Sequence, residues 1–223
     1  LILYIYPGLI WLAVLLSIPA FFVVNTQSKK YHRLIFGIIV MVAVLETYGA
    51  YSILNSQNSS IFHNLLFVHA ESLLLLYFFY LNFSLKKVRQ SILVSGLVLM
   101  VWALINSLFF QPINSSFQTY SFIPSAIILI IYCIGYFYSI IKEDKFQDVK
   151  IVAVPSFWIV TVVMFFYSCS LMFFASIPLV NPENYELVYK IYNLIRGLSI
   201  LMYLIMGLAF YAPIFFKTRS IPD

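Results

Sequence analysis

Seven long apolar runs, each close to twenty residues, alternate along this chain with short polar stretches. A helix needs about 20 residues to cross the hydrocarbon core of a bilayer. In lipid, backbone N–H and C=O groups must be satisfied inside the protein, which leaves helices and closed barrels as spanning structures. Runs this long and this continuous suit helices. The predicted fold is all-α: a polytopic membrane protein forming a single seven-helix transmembrane domain over residues 1–223. Its spans fall at about 2–24, 34–54, 64–84, 92–110, 120–141, 152–177 and 189–216. Composition points the same way. Only 9% of the residues are charged and 63% are hydrophobic, whereas a soluble domain carries about 25% charged residues. The first run is longer than a signal-peptide core and lacks a small-residue cleavage pattern, so it is read as a span that stays.

The net charge of +5 does not point to nucleic acid as a partner. The basic residues sit in short clusters between apolar runs, a pattern that sets membrane topology. One set of alternate loops holds Lys29, Lys30, Arg33, Lys86, Lys87, Arg89, Lys142, Lys145, Lys150, Lys217 and Arg219. The other set holds Lys190 alone, and Arg196 lies within a span. Basic loops stay cytoplasmic. The N-terminus is therefore expected outside and the C-terminus in the cytoplasm, in a cell inner membrane crossed several times. The lipid bilayer is the first partner. The loops are too short for a kinase, nuclease or ATPase module. Output would pass through the helices, a membrane-protein partner or a cytoplasmic signalling protein. Cys133 and Cys169 fall inside spans and read as small core side chains.

Several runs carry polar residues on one helical face. Residues seven or eleven apart fall nearly in line on an α-helix. Asn64, Glu71 and Asn82 form such a line in the third run, interrupted by Phe78. Ser91, Ser95, Trp102 and Asn106 align in the fourth, and Ser121, Ser125, Tyr132, Tyr136 and Ser139 in the fifth. Tyr189, Tyr192, Asn193, Arg196, Ser199 and Tyr203 align in the seventh. A helix with one polar face turns it away from lipid.

Four ionisable residues lie within spans: Glu46, His69, Glu71 and Arg196. At 1.5 Å per residue, Glu71 and Arg196 are each roughly 10 Å below the ends of their runs, and Glu46 roughly 14 Å. Each isolated charge would cost about 2.5–3.5 kcal/mol in the bilayer. They are expected to converge, with Arg196 pairing one glutamate. The second carboxylate must then be protonated, paired with a charged His69, or matched by a cation or ligand. Glu46, Glu71, Arg196, His69, Asn64, Tyr192 and Asn193 are the candidate residues for binding a small ligand or ion. The bland alternative is a buried pair that only fixes helix packing.

Enzyme motifs are absent from the sequence. His69-Ala-Glu71 is not the H-E-x-x-H zinc arrangement, and there is no G-x-S-x-G elbow or phosphate-binding glycine loop. No catalytic residue, metal or cofactor is predicted. Lys190 stands at the edge of the last run, not in its middle where retinal proteins attach their chromophore.

Asn64 and Glu71 precede LLLLYFFY, followed later by FIPSAIILIIYCIGYF and VPSFWIVTVVMFFYS. This order resembles bacterial seven-span membrane proteins that accompany or form the sensor part of signalling systems. The resemblance implies a sensory role. The expected function is a non-enzymatic sensor or ligand-binding module with a polar site in the outer half of the bundle. The alternatives are an accessory subunit of a larger membrane complex and a small-molecule or proton-coupled transporter.

Overall fold

The computed structural model describes residues 2–23, 28–142, 150–177 and 185–216, and the structural statements that follow concern these residues. Lys145, Glu183, Lys217 and Arg219 lie outside them. No strand occurs among the described residues. Seven helical stretches are long and apolar enough to cross a membrane: Tyr4–Phe22, Lys29–Leu54, Ser60–Asn82, Lys86–Phe109, Thr119–Lys142, Pro155–Ser176 and Val188–Phe215.

Each predicted span coincides with one of these. The main difference is at two starts, where Lys29, Lys30 and Arg33 and then Lys86, Lys87 and Arg89 belong to the helices and not to loops. A helix need not stop where the apolar run stops. Its backbone ladder continues, and Lys and Arg stems lie along apolar surface while their charged ends reach water.

The first span packs on the second and seventh, the fifth on the sixth, and the sixth on the seventh. The third lies inward, touching the second, fourth and fifth. The fourth is outermost: 22% of its most apolar window is buried, against 33–44% in the others. Its exposed row of Leu93, Leu97, Leu104 and Leu108 has the composition of a lipid face. The first and seventh spans approach each other closely at Gly207. A Cβ placed on Gly207 would stand 2.8 Å from the carbonyl oxygen of Ala13. Small residues allow such crossings where lipid supplies no hydrophobic drive for association.

The prolines leave carbonyl groups that other elements satisfy. Pro124 lies inside the fifth span and cannot donate to the Tyr120 carbonyl four residues back. The indole N–H of Trp102 donates to that carbonyl instead, at 2.7 Å. Pro19 ends the first helix at Ser17, and a short helix resumes at Ala20. The carbonyls of the last turn are taken up by Ile18 N–H on Leu15, the Tyr211 hydroxyl on Leu16 and the His32 Nε2–H on Ser17. His32 is fully buried and packs edge-on against Phe21 and Phe210. The break is thus closed by the second and seventh spans.

The third span is not a uniform α-helix. Residues Asn64–Glu71 form a π-helix, with α-helical turns before and after. A π stretch this long is rare. It widens the coil, so residues seven apart no longer share a line. Asn64 and Glu71 are both fully buried but serve different partners. The seven-residue spacing that placed them on one face does not hold here.

Candidate functional site

The structure sorts the ionisable residues into three environments. Glu46 and Arg196 share a cavity, Glu71 is enclosed apart from it, and His69 belongs to a loop anchor.

The cavity lies between the first, second, third and seventh spans and measures about 270 Å³. Its wall includes Glu46, Gly49, His63, Asn64, Tyr192 and Arg196, and it reaches the loop end of the third span at Ser59 and Ser60. Tyr6, Glu46, His63, Phe117, Tyr192 and Arg196 also line an adjoining chamber of about 260 Å³. That chamber adds Phe67, Phe166, Phe174, Ile195 and Ser199. One end of the combined space is polar and the other aromatic.

Arg196 does not form the expected ion pair. Among the described residues the salt bridge present is Lys190–Glu186, at 2.7 Å on the surface. No Arg196 nitrogen comes within 4.0 Å of a Glu46 or Glu71 oxygen. The guanidinium instead lies over the Tyr6 ring, 4.3 Å from its centroid, with the Tyr192 ring at 5.8 Å. A cation over an aromatic face is held by the ring quadrupole while its N–H groups at the rim stay available. Glu46 receives one long hydrogen bond, from the Tyr6 hydroxyl at 3.4 Å, and that hydroxyl also pairs with Ser199 at 2.9 Å. The two side chains therefore line one cavity without forming an ion pair.

His63 completes this wall. Its Nδ1 donates to the Ser59 carbonyl at 3.1 Å. In the neutral ring this leaves Nε2 as an acceptor. Gly49 makes room for it, since a Cβ there would lie 2.9 Å from the His63 ring.

Glu71 is not among the residues lining these chambers and is fully buried. The Tyr203 hydroxyl donates to both carboxyl oxygens, at 2.9 Å each, and the Tyr167 hydroxyl approaches one of them at 3.5 Å. Tyr167 and Tyr203 are themselves fully buried. The expected convergence of Glu71 with Arg196 is not seen. Two tyrosines from the sixth and seventh spans meet it instead, as hydroxyl donors can hold a buried carboxyl group without a cation.

His69 and Asn64 act together on the 111–118 loop. Asn64 Nδ2 donates to the carbonyls of Ile113 and Ser116, both at 2.8 Å, and its Oδ1 accepts the Gln118 backbone N–H at 3.0 Å. The Gln118 amide nitrogen donates to Ser107 and to the Gln111 carbonyl. Its oxygen is thereby turned toward His69, whose Nε2–H must be the donor at 2.8 Å. His69 pairs with none of Glu46, Glu71 and Arg196. Asn193 is exposed and does not line the cavity, whereas Tyr192, also partly exposed, does.

Three participants were not legible as candidates. Tyr6 stands in a run with no charge, and Tyr167 in a run whose polar residues form no clear line. His63 precedes the apolar part of the third run. Only the fold brings them to Glu46 and Glu71.

Among the described residues no three His, Cys, Asp or Glu side chains cluster as a metal would require. Cys133 and Cys169 are both free thiols. Comparison with protein-family models, curated proteins and solved structures yields no match to this chain.

Proposed function

We propose that this chain is a non-enzymatic sensor or ligand-binding module of a bacterial inner membrane. It crosses the membrane seven times with its N-terminus outside and its C-terminus in the cytoplasm. A small ligand enters from the outer side, occupies the space between Glu46 and Arg196, and shifts helix packing for a membrane or cytoplasmic partner to read. The observation that carries this reading is that Glu46 and Arg196 line one cavity without forming an ion pair. A buried charge pair kept only for packing would close to contact, because each ion is costly in lipid. The sensory part of the proposal draws on the resemblance to seven-span sensor proteins. The orientation draws on the distribution of lysine and arginine.

Ligand binding changes packing only if two packings differ in affinity. The cavity wall offers a place for this, because His63 rests against Gly49 at the entrance to the π-helical segment.

Native mass spectrometry of the chain, released from its own membrane in lipid particles, tests the reading. The expected result is a small molecule retained by the wild type and lost from Arg196→Met at unchanged melting temperature. A stoichiometric protein partner with no small molecule would favour the accessory-subunit alternative. A bare chain in both samples would refute ligand binding. Reporter fusions after residue 216 test the orientation independently: a cytoplasmic reporter should be active there and a periplasmic one silent.

A further inference from the structure

We infer that the ligand of this cavity is a small zwitterion of the α-amino acid type with an aromatic or branched apolar side chain. The inference rests on the ligand-binding reading above and adds its chemical class. It follows from charge, then from polarity, then from size.

Glu46 and Arg196 line the same space without forming an ion pair. As an ionised pair they sum to zero. A ligand bearing only a carboxylate would satisfy Arg196 but place a second negative charge beside Glu46. A ligand bearing only an ammonium would satisfy Glu46 and repeat the problem at Arg196. In a site set among membrane-spanning helices, either leaves a net charge poorly screened by water. A zwitterion keeps the sum at zero and gives each protein charge its own partner.

The hydrogen-bonding groups divide the same way. Arg196 is a planar donor fork with no acceptor, suited to a carboxylate. It lies over the Tyr6 ring, 4.3 Å from the centroid. On the other side, Glu46 and the His63 ring, with Nδ1 committed to Ser59, offer acceptors to an ammonium group. The remainder of the space is aromatic: Phe117 stacks on Phe174 at 4.6 Å, and Phe67 meets Phe166 edge-on at 6.4 Å. An apolar side chain in that chamber meets rings instead of unpaired polar groups.

Size limits the ligand. The first chamber, about 270 Å³, corresponds to roughly nine water volumes at about 30 Å³ each. With the adjoining aromatic chamber it has room for a molecule of roughly ten to fifteen non-hydrogen atoms.

The full chain in nanodiscs, with radiolabelled L-phenylalanine, 3-phenylpropionate and 2-phenylethylamine in equilibrium dialysis, tests the inference. The second probe lacks the ammonium group and the third lacks the carboxylate. L-Phenylalanine should bind saturably at one site per chain, with each half-ligand at least ten-fold weaker. Glu46→Gln should erase the preference over 3-phenylpropionate, and Arg196→Gln the preference over 2-phenylethylamine. The wild-type comparison stands even if a variant fails to fold. A half-ligand binding as tightly as L-phenylalanine overturns the zwitterion and leaves a ligand site in place. Saturable binding by none of the three overturns the ligand class, and the molecule retained in native mass spectrometry then decides separately whether the ligand reading survives.

Discussion

Removing the Tyr203 hydroxyl should destabilise the bundle through Glu71. In the native chain one hydroxyl serves both carboxyl oxygens at 2.9 Å, and the Tyr167 hydroxyl stands at 3.5 Å. Tyr203→Phe removes no buried carbon and leaves a carboxyl group with 0% exposure held by the long contact alone. Side-chain hydrogen bonds in a membrane protein average about 0.6 kcal/mol and reach about 1.7 kcal/mol. Leaving a buried polar group unsatisfied costs about 1–3 kcal/mol, more for a charged one. The second effect dominates here, because the donor that remains, the Tyr167 hydroxyl, stands at 3.5 Å. The expected cost is about 2 kcal/mol, roughly a thirty-fold shift in the unfolding equilibrium. The assay is reversible unfolding in mixed micelles with a graded fraction of denaturing detergent, followed by near-ultraviolet circular dichroism. Glu71→Leu closes the cycle: with no carboxyl group to satisfy, Tyr203→Phe in that background should cost less than about 0.5 kcal/mol. An equal cost in both backgrounds would show that the hydroxyl acts through something other than Glu71, and the account of how this carboxyl group is tolerated would fail.

Three further outcomes are expected. Asn64→Leu removes three hydrogen bonds to the 111–118 loop, so amide exchange at Ser116–Gln118 should accelerate at least ten-fold, read by mass spectrometry; unchanged exchange would mean that the Gln118 network holds the loop alone. Gly207→Ala drives a Cβ against the Ala13 backbone and should cost about 1–3 kcal/mol, whereas Gly197→Ala meets nothing within 4 Å and should be neutral or stabilising by up to about 1 kcal/mol in the same unfolding assay. Trp102→Phe strands the Tyr120 carbonyl and should cost about 1–2 kcal/mol; that cost should largely vanish in Pro124→Ala, where the helix supplies its own N–H, and persistence of the full cost would point to lost packing instead.

The seven spans were legible because one physical length governs them. An apolar run near twenty residues has one common use, and nothing in the fold had to be known to find it. The helix starts at Lys29 and Lys86 were not legible, because backbone hydrogen bonding continues past the point where hydropathy falls. The inward turn of the fifth span was also readable: Ser121, Ser125, Tyr132, Tyr136 and Ser139 are all buried. Tyr132 bonds to Ser91 and Ser95 across to the fourth span, and Asn106 bonds to Ser121. Partner choice was another matter. Spacing gives the face on which a residue lies but not which neighbour it meets. The π-helical segment then broke the spacing itself. Nothing in NLLFVHAE marks a wider coil, and what holds its ends is tertiary: the 113–118 loop at Asn64 and two tyrosines at Glu71.

The expectation that membrane charges converge leaves one carboxyl group to be protonated or otherwise matched. Glu71 is matched by neither Arg196 nor His69 but by tyrosine hydroxyls. Phenol hydroxyls enclose it fully, and it asks nothing of Arg196. Glu46 has no such enclosure. It has one long contact from Tyr6, and Tyr6 divides its hydroxyl with Ser199 and gives its ring face to Arg196. Two acids of one chain thus meet the same energetic problem with opposite degrees of closure. Where the structural need is only to tolerate a carboxyl group, the Glu71 arrangement suffices and leaves no space. The Glu46 level keeps space, and the same cavity is lined by a guanidinium that makes no ion pair with either glutamate. That contrast within one bundle is the reason the proposed binding site is placed at Glu46 and Arg196 and not at Glu71.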